Sequence, residues 1–227
     1  MSPFNSNDES FPIAAAEQSF IQRVYQWMAA GLALTGFVAV SVAGNPGLLR
    51  VLAGGWFLAL MLVELGLVIW LSAAIHKISA TAAITGFLVY SALNGLTLSF
   101  IFVVYTGASI ATTFFVTAGT FAGVSLFGWA TRTDLSSLRG FLFMGLIGVI
   151  LGSVVNIFLH SPALYWFLTY AGLAVFIGLT AFDTQCLKEI HRGGGATEQI
   201  AVLGALRVYL DFINMFLLLL RLFGRRR

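Results

Sequence analysis

The chain has 227 residues, of which 59% are hydrophobic before its 24 glycines are counted, and only 9% are charged. Soluble globular domains are about 45–50% apolar with glycine included and about 25% charged, so composition excludes a soluble domain and a disordered chain. A net charge of +3, from 12 Lys+Arg against 9 Asp+Glu, is too small a surplus to argue for nucleic acid or another polyanion as partner. The single cysteine, Cys186, cannot close an internal disulfide, which removes disulfide scaffolds. With a mean hydropathy of +0.94, the composition specifies an integral membrane protein whose first partner is the lipid bilayer.

Residues 1–25 are polar and slightly acidic, with Asp8, Glu9 and Glu17 against Arg23. A secretory signal opens with a basic stretch followed at once by a short apolar core. The first apolar run therefore reads as a retained anchor. A spanning helix needs roughly 20 mostly apolar residues, and seven stretches qualify, near 27–43, 51–71, 80–105, 110–130, 141–159, 163–187 and 200–223. Between them stand turn residues: Gly44-Asn45-Pro46-Gly47, Thr131-Arg132-Thr133-Asp134, Ser161-Pro162 and Gly193-Gly194-Gly195. The connections leave no room for a soluble domain. The expected organisation is a polar tail over 1–25, one all-α seven-helix transmembrane domain over 26–224, and a basic tail over 225–227. Barrel strands would alternate polar and apolar residues with period two, and these runs do not.

Lys and Arg concentrate on the cytoplasmic side of membrane proteins. With the N-terminus inside, the inner side holds Arg23, Lys77, Arg132, Arg139, Lys188 and Arg192, while the outer loops hold only Arg50. Seven full spans place Arg225, Arg226 and Arg227 outside, against this trend; a re-entrant last helix would return them inside. The length and apolarity of 200–223 favour a full span.

Charges inside a bilayer are expensive and mark functional candidates. They are Glu64 in the second span, Asp183 in the sixth, and Arg207, Asp211 and Arg221 in the seventh. The short Gly-rich link makes the last two spans an antiparallel hairpin. The midpoint of Asp183 and Asp211 is residue 197 and the link is centred near 196, so the spacing predicts nearly equal depth for the two carboxylates. At about 4 Å separation, two negative charges repel by about 4 kcal/mol at an effective dielectric of 20. Such a pair shares a proton and titrates as one unit. It suits a proton-controlled latch or a weak cation site and is a poor tight calcium site, since tight calcium binding takes six to eight oxygens. The competing expectation is a simple ion pair, because Arg207 and Asp211 are four residues apart on one helix. Arg207, Asp211, Asn214, Leu218 and Arg221 form one stripe along that helix.

Ser91 with Asn94, and Ser153 with Asn156 and His160, share helix faces and read as interhelical hydrogen-bond groups. Glu64 is either a third member of the acidic site or a residue bonded to a neighbouring helix. His76, His160 and His191 lack metal-ligand spacing and read as loop or interface residues, and Cys186 as a packing residue.

Three runs carry a family resemblance: Ala92-Leu93-Asn94-Gly95-Leu96-Thr97-Leu98-Ser99 with Val104-Tyr105-Thr106, Gly178-Leu179-Thr180-Ala181-Phe182-Asp183-Thr184-Gln185, and Tyr209-Leu210-Asp211-Phe212-Ile213-Asn214. Together they resemble the Bax inhibitor-1 (TMBIM, YccA-like) membrane family in its bacterial branch. The resemblance implies a seven-helix bundle with the last helix central. It also implies a pH-sensitive calcium leak gated by an aspartate pair on the last two helices, which corresponds here to Asp183 and Asp211. Supporting roles fall to Glu64, Arg207, Asn214 and Asn94. Two positions depart from the family pattern. Phe182 stands where tyrosine is common, and Ser72-Ala73-Ala74-Ile75-His76-Lys77 stands where many relatives carry an arginine, a role left vacant or passed to Arg207.

The leading expectation is therefore a calcium or cation leak in the bacterial inner membrane, non-enzymatic and without a cofactor beyond transient calcium, with the oligomeric state left open and a monomer compatible with it. A second class is a regulator that binds another membrane protein, such as a membrane protease or a stress component. A third is an intramembrane aspartyl protease. It is disfavoured because Val208-Tyr209-Leu210 replaces Gly-x-Gly before Asp211 and Ser161-Pro162-Ala163-Leu164 precedes both aspartates.

Overall fold

The computed structural model describes the backbone of residues 10–227 and the side chains from residue 19 onward. Of the polar tail expected over 1–25, residues 1–9 lie outside the described residues and 10–25 fall within α1. The elements are α1 (Ser10–Ala43), α2 (Pro46–Val51), α3 (Phe57–Ala74), α4 (Ala80–Leu98), α5 (Ile101–Val104), α6 (Gly107–Ala130), α7 (Arg139–Leu159), α8 (Pro162–Arg192) and α9 (Glu198–Phe223). Among the described residues they make up seven segments long and apolar enough to cross a membrane.

A helix cannot leave its first amides unsatisfied near lipid, and the chain places a capping side chain at five of the breaks. Asn45 Oδ1 accepts from the amides of Gly47 and Leu48 ahead of α2. Ser79, Thr106, Ser161 and Thr197 each accept from the amide three residues on, opening α4, α6, α8 and α9. Pro46 and Pro162 occupy first-turn positions where a missing N–H costs nothing.

The second span is bent. Between α2 and α3, Leu52–Trp56 forms a wide turn in which Gly55 has φ of 105°, a conformation that a side chain would strain. The third span breaks at Ser99 and Phe100 before α5 completes it. Both breaks fall inside runs that read as continuous spans, since composition registers apolarity but not backbone direction.

The last helix fills the middle of the bundle. It packs against α1, α4, α6 and α8. Of its apolar window 72% is buried, against 6% for the span of α2 and α3 and 6% for that of α7. Its 26 residues reach about 39 Å at 1.5 Å per residue, more than the roughly 30 Å hydrocarbon core. Its two ends therefore lie on opposite faces of the bundle, as a full span requires. At the start, Glu198 accepts from Trp27 Nε1 at 2.8 Å and pairs with Arg23 at 3.2 Å. At the far end the tail pairs with the turn between α5 and α6: Thr106 N donates to Arg225 O, Arg227 N to Val104 O, and Arg225 N to Ser109 Oγ. The three terminal arginines thus share a face with Arg50, and the link between α8 and α9 lies on the opposite face.

On the link face, Gln185 of α8 fastens the connection between α6 and α7. Its Oε1 accepts from Leu135 N at 2.8 Å and its Nε2 donates to Thr133 O at 2.9 Å. The Ser136 amide donates to Asp134 in the same turn and holds that exposed carboxyl below its ordinary range.

Candidate acidic site between the last two helices

Asp183 lies half-buried on α8, and Asp211 on α9 is 4% exposed. Close approaches of Gly204 to Leu187 and of Gly172 to Leu218 set the register of the hairpin. It is centred on residue 195, because α8 runs on to Arg192 and α9 begins at Glu198. That centre corrects the expectation of equal depth. Asp183 lies level with Arg207, and Asp211 sits about 6 Å, or one turn, farther from the link.

Both carboxylates nevertheless line one cavity of about 580 Å³, together with Arg139, Glu189, Arg207 and Asn214. A second cavity of about 450 Å³ shares Asp183, Cys186 and Arg207 with the first and is bounded also by His76 and the link residues Gly195 and Thr197. Asp211 is within electrostatic reach of both Asp183 and Arg207. Among the described residues, neither aspartate has an arginine nitrogen within 4.0 Å, so the Arg207–Asp211 ion pair allowed by their spacing does not form. Asp211 Oδ2 is fully buried and has no hydrogen-bond partner. Asn214 does not supply one, since its Nδ2 donates to Leu210 O at 2.8 Å.

A buried polar atom without a partner carries a desolvation cost of about 1–3 kcal/mol, more if charged. A proton on Asp211 or a cation in the cavity would offset it. Among the described residues no group of three or more His, Cys, Asp or Glu is placed to hold a metal ion, so protein ligands to a cation here would be few.

Glu64 and Asn94 belong to a different cluster. Thr97 Oγ1 donates to Glu64 Oε1 at 2.5 Å, which settles Glu64 as a residue bonded to a neighbouring helix. Asn94 Oδ1 accepts from Tyr209 OH at 3.2 Å, and Tyr209 OH also meets Thr35 Oγ1 at 2.7 Å. The last helix thus presents Tyr209 to α1 and α4 and Asp211 to the cavity beside α8. Arg221 stands apart at the far end, over the Tyr165 ring at 5.6 Å.

Sequence reasoning missed four lining residues. Arg139 read only as an inner-side charge and His76 as a loop or interface residue, and Glu189 carried no reading of its own. Cys186 had a signal, because it follows Asp183 by three residues and so shares its helix face. Tyr209 was noted only within a motif; nothing in its spacing marked it as a hydrogen-bond hub.

The family described as Inhibitor of apoptosis-promoting Bax1 matches residues 17–227. The chain is 48% identical to the inner membrane protein YbhL of Escherichia coli K12, covering all of both chains. It is 40% identical to an uncharacterized protein of Borreliella burgdorferi, over 93% of this chain and 94% of that one. A Deinococcus radiodurans protein, also uncharacterized, is 42% identical over 92% and 91%.

Proposed function

Because the chain belongs to the Bax inhibitor-1 family of membrane proteins, we propose that it is a pH-modulated leak for cations, calcium foremost, gated by Asp183 and Asp211. The observation that supports this reading best is Asp211 Oδ2, buried without a partner on a cavity that Asp183 also lines. Two carboxylates within electrostatic reach resist ionising together. A proton gained or lost by the pair changes the charge a passing cation meets. Five charged groups line the cavity, Arg139, Arg207, Asp183, Glu189 and Asp211, and in this reading the proton of the aspartate pair tips their balance. Calcium is the cargo in this reading, held weakly by few ligands and released.

The reading places the chain in the inner membrane with its N-terminus in the cytoplasm. In that orientation the link face, with Lys77, Arg132, Lys188 and Arg192, meets the cytoplasm. It assigns the chain no catalytic activity.

The test is calcium flux into proteoliposomes between pH 6 and pH 8. The natural chain should conduct at rates that differ across this range. Replacing both aspartates by asparagine, Asp183→Asn with Asp211→Asn, should remove the pH response and change the basal flux. Flux and pH response left intact in the double variant would defeat the proposal.

A further inference from the structure

On the face opposite the acidic site, a cavity of about 620 Å³ opens between the start of α8 and the end of α9. That volume falls within the 300–1,000 Å³ typical of small-ligand sites. Its charged lining is wholly cationic, from Arg221 and Arg226, and Asn156, His160, Ser161 and Trp166 add polar or aromatic walls. Among the described residues, neither arginine makes an ion pair with a carboxylate. No described Asp or Glu lines the cavity. Two arginines on one cavity with no carboxylate beside them favour an anion within it.

The Arg221 side chain and the backbone that carries Arg226 are both held in place before any ligand arrives. Arg221 rests on the Tyr165 ring. Arg226 is paired with Tyr105 through the backbone of the tail, whose amides and carbonyls bond to Val104, Thr106 and Ser109. Chain neighbours of the lining residues are apolar and exposed: Phe158 is 78% exposed, Leu159 63% and Phe167 66%. A free anion has no use for that surface, whereas a lipid offers a phosphate to the arginines and acyl chains to the phenylalanines.

We infer that this cavity is a binding site for the phosphodiester headgroup of an anionic phospholipid, seated between Arg221 and Arg226 with its acyl chains along the ends of α7 and α8. Arginine contributes a planar fork matched to phosphate oxygens. Each cation near a membrane surface adds about 1 kcal/mol toward an anionic lipid.

Native mass spectrometry of the full-length protein in detergent tests this, with phosphatidylglycerol and phosphatidylcholine as probes. Phosphatidylglycerol should bind in preference. The pair of substitutions Arg221→Gln and Arg226→Gln should weaken it about 30-fold, as loss of two such charges predicts. Arg132→Gln, with an arginine on the opposite face, should not. Arg226→Gln alone leaves α9 whole and should cost several-fold, so a folding defect in the double variant does not cloud the result. Equal affinity for the two lipids, or phosphatidylglycerol binding unchanged in both variants, would overturn the inference. So would displacement of bound lipid by millimolar inorganic phosphate, which would mark a free-anion site.

Discussion

Tyr209 and Gln185 show how much a single polar side chain does where water is scarce. Tyr209 is fully buried, and its hydroxyl meets Asn94 and Thr35 on two other helices. Tyr209→Phe leaves Asn94 Oδ1 without that donor and should cost about 1–3 kcal/mol, seen as a lower midpoint of thermal denaturation in detergent. Gln185→Leu removes both bonds that hold the connection between α6 and α7. A loss of similar size is expected, together with faster proteolysis around residues 131–135, which the tyrosine change should not produce. The sequence marked Asp183 and Asp211 because a bilayer makes any charge conspicuous. It did not reveal the one-turn offset between them, because depth depends on where each helix ends. Glu64 was equally conspicuous, but its hydrogen bond to Thr97 depends on which faces of α3 and α4 meet.

At the scale of elements, close packing is set by glycines whose missing side chain another helix occupies. A Cβ on Gly128 of α6 would collide with the carbonyl oxygen of Ala181 on α8, which is backbone and cannot step aside. A Cβ on Gly119 of the same helix would meet nothing within 4 Å. Gly128→Ala should therefore force α6 from α8 and destabilise the fold by several kcal/mol or block folding. Gly119→Ala should be neutral or slightly stabilising through helix propensity. Comparing the two denaturation midpoints separates packing from propensity. Seven spans were legible because each is a long apolar run bounded by Asn, Ser, Thr, Pro or Gly. The bend at Gly55 was not, because glycine is frequent within membrane helices and its presence alone does not mark a bend.

For the molecule as a whole, the two faces differ in charge. The link face mixes Arg23, Lys188 and Arg192 with Asp134, Glu189 and Glu198, whereas the tail face carries Arg50, Arg221, Arg225, Arg226 and Arg227 and no described Asp or Glu. The proposed orientation places that all-arginine face outside. Alkaline phosphatase fused after Arg227 should then be active in intact cells, and a fluorescent protein fused at the N-terminus should fluoresce. The reverse pattern would invert the assignment of faces.

The last helix is secured at both ends, by Glu198 to Trp27 and Arg23 and by the tail to Val104, Thr106 and Ser109. A rod pinned top and bottom gives up sliding along its own axis. That fixes the depth at which Tyr209 meets Asn94 and Thr35 and the depth at which Asp211 faces the cavity beside α8.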